Sequence, residues 1–135
     1  MLTDFTDFHR MELNDLTYIV RGAIFKVHST LGPGLLESVY EAALAYELVH
    51  SNLSIQTQTG VPVQYNDVKL ELGFRLDILV EDKVIVEIKS VESLHDVHKK
   101  QLLTYLKLTG KKIGILVNFN VASLKDKESI IRIIN

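Results

Sequence analysis

The sequence contains no cysteine, which excludes a disulfide framework and a thiolate zinc centre and leaves no demand for an oxidising compartment. Only two prolines and seven glycines occur among 135 residues, too few for a disordered or low-complexity chain. No apolar run approaches the roughly 20 residues that a membrane span requires. The start, MLTDFTDFHR, lacks the basic and then apolar order of a secretory signal, so a cytoplasmic protein without membrane contact is expected. The histidines, at positions 9, 28, 50, 95 and 98, have no zinc-protease spacing. No serine or cysteine arrangement points to acyl transfer, and neither a Walker-type phosphate loop nor an internal repeat is present.

What is there is a chain of one-domain length, able to bury roughly two thirds of its unfolded surface. Hydrophobic residues at 47% and charged residues at 24% fit a packed globular protein. The net charge of -2 is unevenly spread: residues 1–67 carry three basic against eight acidic side chains, and residues 68–135 twelve against nine. The second half is where a polyanion would be tolerated.

Residues 1–12 have no clear period and read as a flexible arm. Leu16, Ile19, Val20, Ala23, Ile24, Val27 and Leu31 then recur with helical spacing, with Asn14 or Asp15 as the cap. Leu31-Gly32-Pro33-Gly34 stops that helix. A second helix is expected from Leu35 to Ser51, an edge strand over Ile55 to Tyr65, and strands over 68–80 and 83–89 joined as an antiparallel hairpin. A third helix from His95 to Thr109 closes at Gly110. Strands at Ile113 to Asn118 and Ile130 to Ile134 complete one α/β domain.

Charge inside strands that otherwise look buried is the central anomaly. Side chains alternate along a strand, so Val84, Val86 and Ile88 share one face while Ile85, Glu87 and Lys89 share the other. Phe74, Leu76, Ile78 and Val80 form an apolar row, with Arg75, Asp77 and Leu79 opposite. A loop over Glu81 to Lys83 pairs Val80 with Val84, Ile78 with Val86 and Leu76 with Ile88, and sets Asp77 against Glu87. Two carboxylates so placed, with Cβ atoms about 5 Å apart, repel unless a proton or a cation lies between them. Oxygen ligands alone suit magnesium or manganese, and a lysine two residues from the glutamate can neutralise charge developing on phosphorus. The competing structural account is a salt-bridge network of Asp77, Glu87, Lys89 and Arg75 on a half-exposed face. Glu37, in the first turn of the second helix, also complements the helix dipole. Val97, His98, Gln101 and Tyr105 line one side of the third helix, an arrangement equally suited to boundary packing.

Gly34-Leu35-Leu36-Glu37-Ser38-Val39-Tyr40 resembles the signature of the small GxxExxY proteins. Asp77 followed by Glu87-Ile88-Lys89 resembles the motif of the PD-(D/E)XK nuclease superfamily to which those proteins are assigned, and the likeness runs from about Leu13 to Ile134. The resemblance implies a restriction endonuclease-like α-β-β-β-α-β core with a mixed sheet, preceded here by an added helix. It implies Asp77 and Glu87 as metal ligands, Glu37 as an additional helix carboxylate, Lys89 as the catalytic lysine, and Mg2+ or Mn2+ as the cofactor. Gln101 and Tyr105 resemble the QxxxY element of the exonuclease branch, and with Tyr40 and Arg75 they are the expected substrate contacts. Leu76, not proline, precedes Asp77. The function implied is a nuclease hydrolysing DNA or RNA by metal-activated water. The alternative is a noncatalytic nucleic-acid- or protein-binding module of the same fold. With no room for a separate recognition domain, specificity calls for a homodimer or a protein partner.

Overall fold

The computed structural model describes residues 12–135, apart from the side chains of Glu71 and Leu72. All of the expected arm except Glu12 lies outside the described residues. Helix α1 spans Leu13–Leu31 and α2 Glu37–His50, followed by strands β1 (Ile55–Tyr65), β2 (Val68–Val80) and β3 (Val84–Lys89). Helix α3 (Asp96–Thr109) then leads to β4 (Ile113–Asn118) and β5 (Ile130–Ile134). The expected element order and the mixed α/β fold are found.

Helix α1 starts earlier than its apolar stripe. The first turn is closed by the Leu16 N–H donating to the Glu12 carbonyl, and no side chain caps it. Asn14 and Asp15, expected as caps, lie inside the helix, where Asp15 complements the dipole. Gly32, at φ +69°, ends the helix in a left-handed conformation that a β-carbon would oppose.

The five strands form one sheet in the order β1-β2-β3-β4-β5, so β1 is the edge strand its sequence suggested. β3 and β4 run parallel, joined through α3, and the other neighbours are antiparallel. Both strands of the parallel pair are buried almost throughout, which explains why VIVEIK and IGILVN are near-continuous apolar runs. On one face, Leu16, Val20 and Ile24 of α1 and Tyr40, Leu44 and Leu48 of α2 pack on Ile78, Val80, Val84, Val86, Ile115 and Val117. On the other, Leu102 and Leu106 of α3 pack on Leu79, Ile85 and Leu116. Gly114 permits that contact: a β-carbon there would meet the Leu102 side chain at 2.9–3.1 Å.

The hairpin pairs Val80 with Val84 and Ile78 with Val86, as the apolar rows required. Glu81 and Asp82 turn the chain at φ 53° and 55°, the left-handed geometry of a tight hairpin adopted here without glycine. The expected row nevertheless breaks at Asp77. Leu76 does not continue the face of Ile78 opposite Ile88. It packs instead with Leu79, Ile85 and Leu102 on the α3 side, because the paired ladder stops at Ile78 and Val86 and β2 changes face at the next residue.

Candidate active site

Where the β2–β3 ladder stops, two carboxylates replace it. The Asp77 N–H donates to Glu87 Oε2 at 3.0 Å, and the Ile88 N–H donates to Asp77 Oδ2 at 2.8 Å. Each acid thus satisfies a backbone donor that the missing ladder would otherwise orphan. Across β2 the same position is irregular on β1: Gln58 has φ 52°, a costly conformation for a residue with a β-carbon. Its side-chain amide donates to Glu41 Oε1 at 2.7 Å and lies 3.5 Å from Asp77 Oδ1. Arg75 donates to the Gln58 carbonyl at 3.1 Å, supporting this kink.

The electrostatics follow from burial. Glu87 is 5% exposed. Desolvation first, and then the Asp77 carboxylate, push its pKa up to about 8. Asp77 is raised mainly by burial, with the Ile88 N–H and Lys89 acting against it and Glu37 with it. Glu41 is also raised, by burial and by Asp77. Tyr105 on α3 is raised by burial and then by Glu87 and Asp77, whereas His98 is lowered by burial, Lys89 and His95. Both helical layers therefore converge on the splayed end of β2 and β3.

Among the described residues, neither Lys89 nor Arg75 forms an ion pair with Asp77 or Glu87, so the salt-bridge network is not what the cluster makes. Glu37 accepts a hydrogen bond from the Ser90 N–H at 3.1 Å. It ties α2 to the end of β3 and acts on Asp77 through its charge. Among the described residues, no group of three or more His, Asp or Glu side chains is arranged to hold a metal ion. The donor chemistry still fits a hard divalent cation, because Mg2+ is commonly held by only one or two carboxylates with waters and substrate phosphates completing its shell.

The remaining expected residues separate. Tyr105 is half-buried and stacks on Phe74 with ring centroids 4.1 Å apart, while Gln101 is exposed one turn earlier. Tyr40 does not face a substrate: it is fully buried, stacked on Phe119 at 4.5 Å. Its hydroxyl donates to the Gly32 carbonyl at 2.6 Å and accepts from the Leu35 N–H at 3.1 Å, fixing the turn that carries Glu37. Arg75 likewise spends its one observed bond on the β1 backbone. Glu41 and Gln58 were not among the candidates. The four-residue spacing of Glu41 from Glu37 on one helix was a usable signal, whereas a left-handed glutamine leaves none.

The Glu37–Tyr40 spacing has a structural cause, and the Asp77, Glu87 and Lys89 set is brought to one strand end. No curated protein and no solved structure was found to match the chain. A family profile described as the PD-(D/E)XK nuclease superfamily matches residues 14–133. With that match spanning nearly all of the sequence and the mixed sheet built as the superfamily requires, the chain belongs to the PD-(D/E)XK nuclease superfamily.

Proposed function

We propose that the protein is a divalent-metal-dependent nuclease of the GxxExxY type, acting as one domain to hydrolyse phosphodiester bonds in DNA or RNA. The observation that carries this reading is the coupling of the buried Glu87 to the half-buried Asp77 across the open end of β2 and β3, with no ion pair to either among the described residues. Burying like charges is costly without a counter-charge, and a site that tolerates the cost is suited to receive one. Asp77 and Glu87 would hold Mg2+ or Mn2+, with Glu37 or Glu41 reaching it directly or through water. Such an ion supplies Lewis-acid stabilisation of the phosphate and a more acidic attacking water.

The chain's own residues do the rest. Lys89 lies two residues beyond Glu87, and strand alternation gives it the same side. Its ammonium stabilises the charge that develops on the phosphate oxygens. Gln58 holds Glu41 and Asp77 in place through its amide. Gln101 and Tyr105, from α3, are the substrate contacts on the far side. The fold sets no limit between DNA and RNA, and a second copy or a protein partner would supply specificity.

The test is a cleavage panel of single- and double-stranded DNA and RNA with magnesium, with manganese and with EDTA. Metal-dependent cutting that Glu87→Ala abolishes supports the reading. Binding without cutting in every arm instead supports a noncatalytic module of this fold, a reading favoured by the engagement of Glu37 with Ser90 rather than with the two acids.

A further inference from the structure

A cleft of about 510 Å3 opens at the carboxyl end of the parallel strands, one of which, β3, carries Glu87 and Lys89. Asn118 in its floor is the register partner of Lys89. The Phe119 N–H donates to the Lys89 carbonyl at 2.9 Å, so the backbone that follows Asn118 is joined to the end of β3 that carries Lys89. The buried Asn118 amide is tied to the backbone around it, donating to the Val91 carbonyl at 2.9 Å and accepting from the Val91 and Asn120 N–H groups at 3.0 and 3.2 Å. The floor is therefore rigid.

Lys99, Lys125 and Lys127 line the cleft against two acids, Glu92 and Glu128. Lys99 has only a long 3.9 Å contact with Asp96. Among the described residues, the Lys125 and Lys127 ammonium groups make no ion pair. The turn that bears them is fixed in advance. Ser129 Oγ accepts from the Lys125 N–H at 2.8 Å, the Ser129 N–H donates to the Lys125 carbonyl at 3.0 Å, and Lys127 is held at φ 70°. Between the two lysines, Asp126 is clamped by both arms of Arg21 on α1, at 3.2 and 2.7 Å. That clamp engages one of the turn's two acids with α1, so that Glu128 alone of them faces the cleft with Lys125 and Lys127. Among the described residues, no aromatic side chain lines the cleft, so they offer charge and hydrogen bonds without a stacking platform. Its volume falls within the range of ligand clefts, roughly 300–1,000 Å3, enough for a short stretch of one strand.

We propose that this cleft holds the sugar–phosphate backbone of a single nucleic-acid strand next to the Asp77 and Glu87 centre, with Lys99, Lys125 and Lys127 as its phosphate contacts. The proposal rests on the nuclease reading for its ligand, and it adds where the strand runs and that this contact ignores base sequence.

The experiment is equilibrium binding of labelled oligothymidylate and oligouridylate over a salt series in EDTA, which permits no metal-dependent cutting. Lys125→Gln/Lys127→Gln is compared with wild type, with Lys125→Arg/Lys127→Arg as the rescue. Lys107→Gln/Lys112→Gln, at the far end of α3 and the start of β4, is the control. Loss of two phosphate contacts should flatten the log–log salt slope by about 1.4 and weaken binding roughly twentyfold near 0.1 M salt. The arginine pair should restore both, and the control pair should change the slope by less. An unchanged slope in the glutamine pair, an equal effect in the control pair, or wild-type protein that binds neither oligonucleotide would overturn the proposal. Metal-dependent cutting in the cleavage panel together with an unchanged slope sinks the cleft alone, and the expected slope change with no cutting in that panel sinks the catalytic reading alone.

Discussion

Asp77 and Glu87 are bound to each other's strands: the Asp77 N–H donates to Glu87, and the N–H of Ile88 donates back to Asp77. This exchange takes the place of the β2–β3 ladder just where the sheet opens. It holds two acids where the strands part, and burial is the largest influence on both, with the charge of Asp77 adding to it at Glu87.

The first consequence is a pH dependence. With its pKa raised from 4.5 to about 8, Glu87 keeps in the folded protein a proton that the unfolded chain releases, so stability falls as pH rises between those values and levels off above them. In metal-free buffer the melting temperature should drop across that window. Glu87→Gln should flatten the drop and melt several degrees above wild type near the upper end. A melting temperature that rises with pH through the window would contradict the assignment.

Metal should reverse the penalty. A ligand that binds only the folded state at about 100 times its Kd adds about 2.7 kcal/mol, so millimolar magnesium or manganese should raise the wild-type melting temperature by several degrees. Asp77→Asn should melt higher than wild type without metal and respond weakly to it. A full response in that variant, read by differential scanning fluorimetry, would place the ion elsewhere.

Much of this was legible in the sequence, and the gaps have physical causes. The apolar rows specified the Val80–Val84 and Ile78–Val86 pairs because a one-residue slip would turn every core side chain outward. The same logic failed for Leu76, since a break in a strand is set by what its neighbours bond to and not by its own alternation. Glu87 and Lys89 stood out as charges in an otherwise apolar run. Glu41 and Gln58 did not, because an acid on an exposed helix turn and a glutamine in an edge strand are ordinary until the tertiary fold joins them. Tyr40 was visible as part of a spacing, and its burial gives that spacing a structural cause in place of the substrate contact the resemblance implied.

Gln58 separates backbone strain from side-chain function. Gln58→Gly relieves a left-handed conformation that costs on the order of 1–2 kcal/mol, so it should hold or raise the melting temperature while lowering turnover by up to roughly a hundredfold, the scale of a catalytic group misplaced by about 1 Å. Gln58→Ala keeps the strain and loses the amide, so it should lose both. Equal turnover in Gln58→Gly and wild type would remove the amide from the site.

Tyr40 should act on stability alone. Tyr40→Phe leaves the Gly32 carbonyl and the Leu35 N–H without their shared partner, at a cost of about 1–3 kcal/mol. Chemical denaturation measures that loss. Nucleic-acid affinity at a temperature where the variant is folded should be unchanged, and a large affinity loss there would return Tyr40 to the substrate surface.

The most direct measurement is single-turnover cleavage of labelled single-stranded DNA and RNA in magnesium or manganese by wild type and Lys89→Ala, with affinity measured alongside. The expected result is metal-dependent cutting by wild type and a rate lower by roughly two or more orders of magnitude in the variant, with affinity reduced only about as much as one phosphate contact is worth. Wild-type protein that binds nucleic acid with metal present and cuts nothing, while Lys89→Ala changes affinity alone, would contradict it.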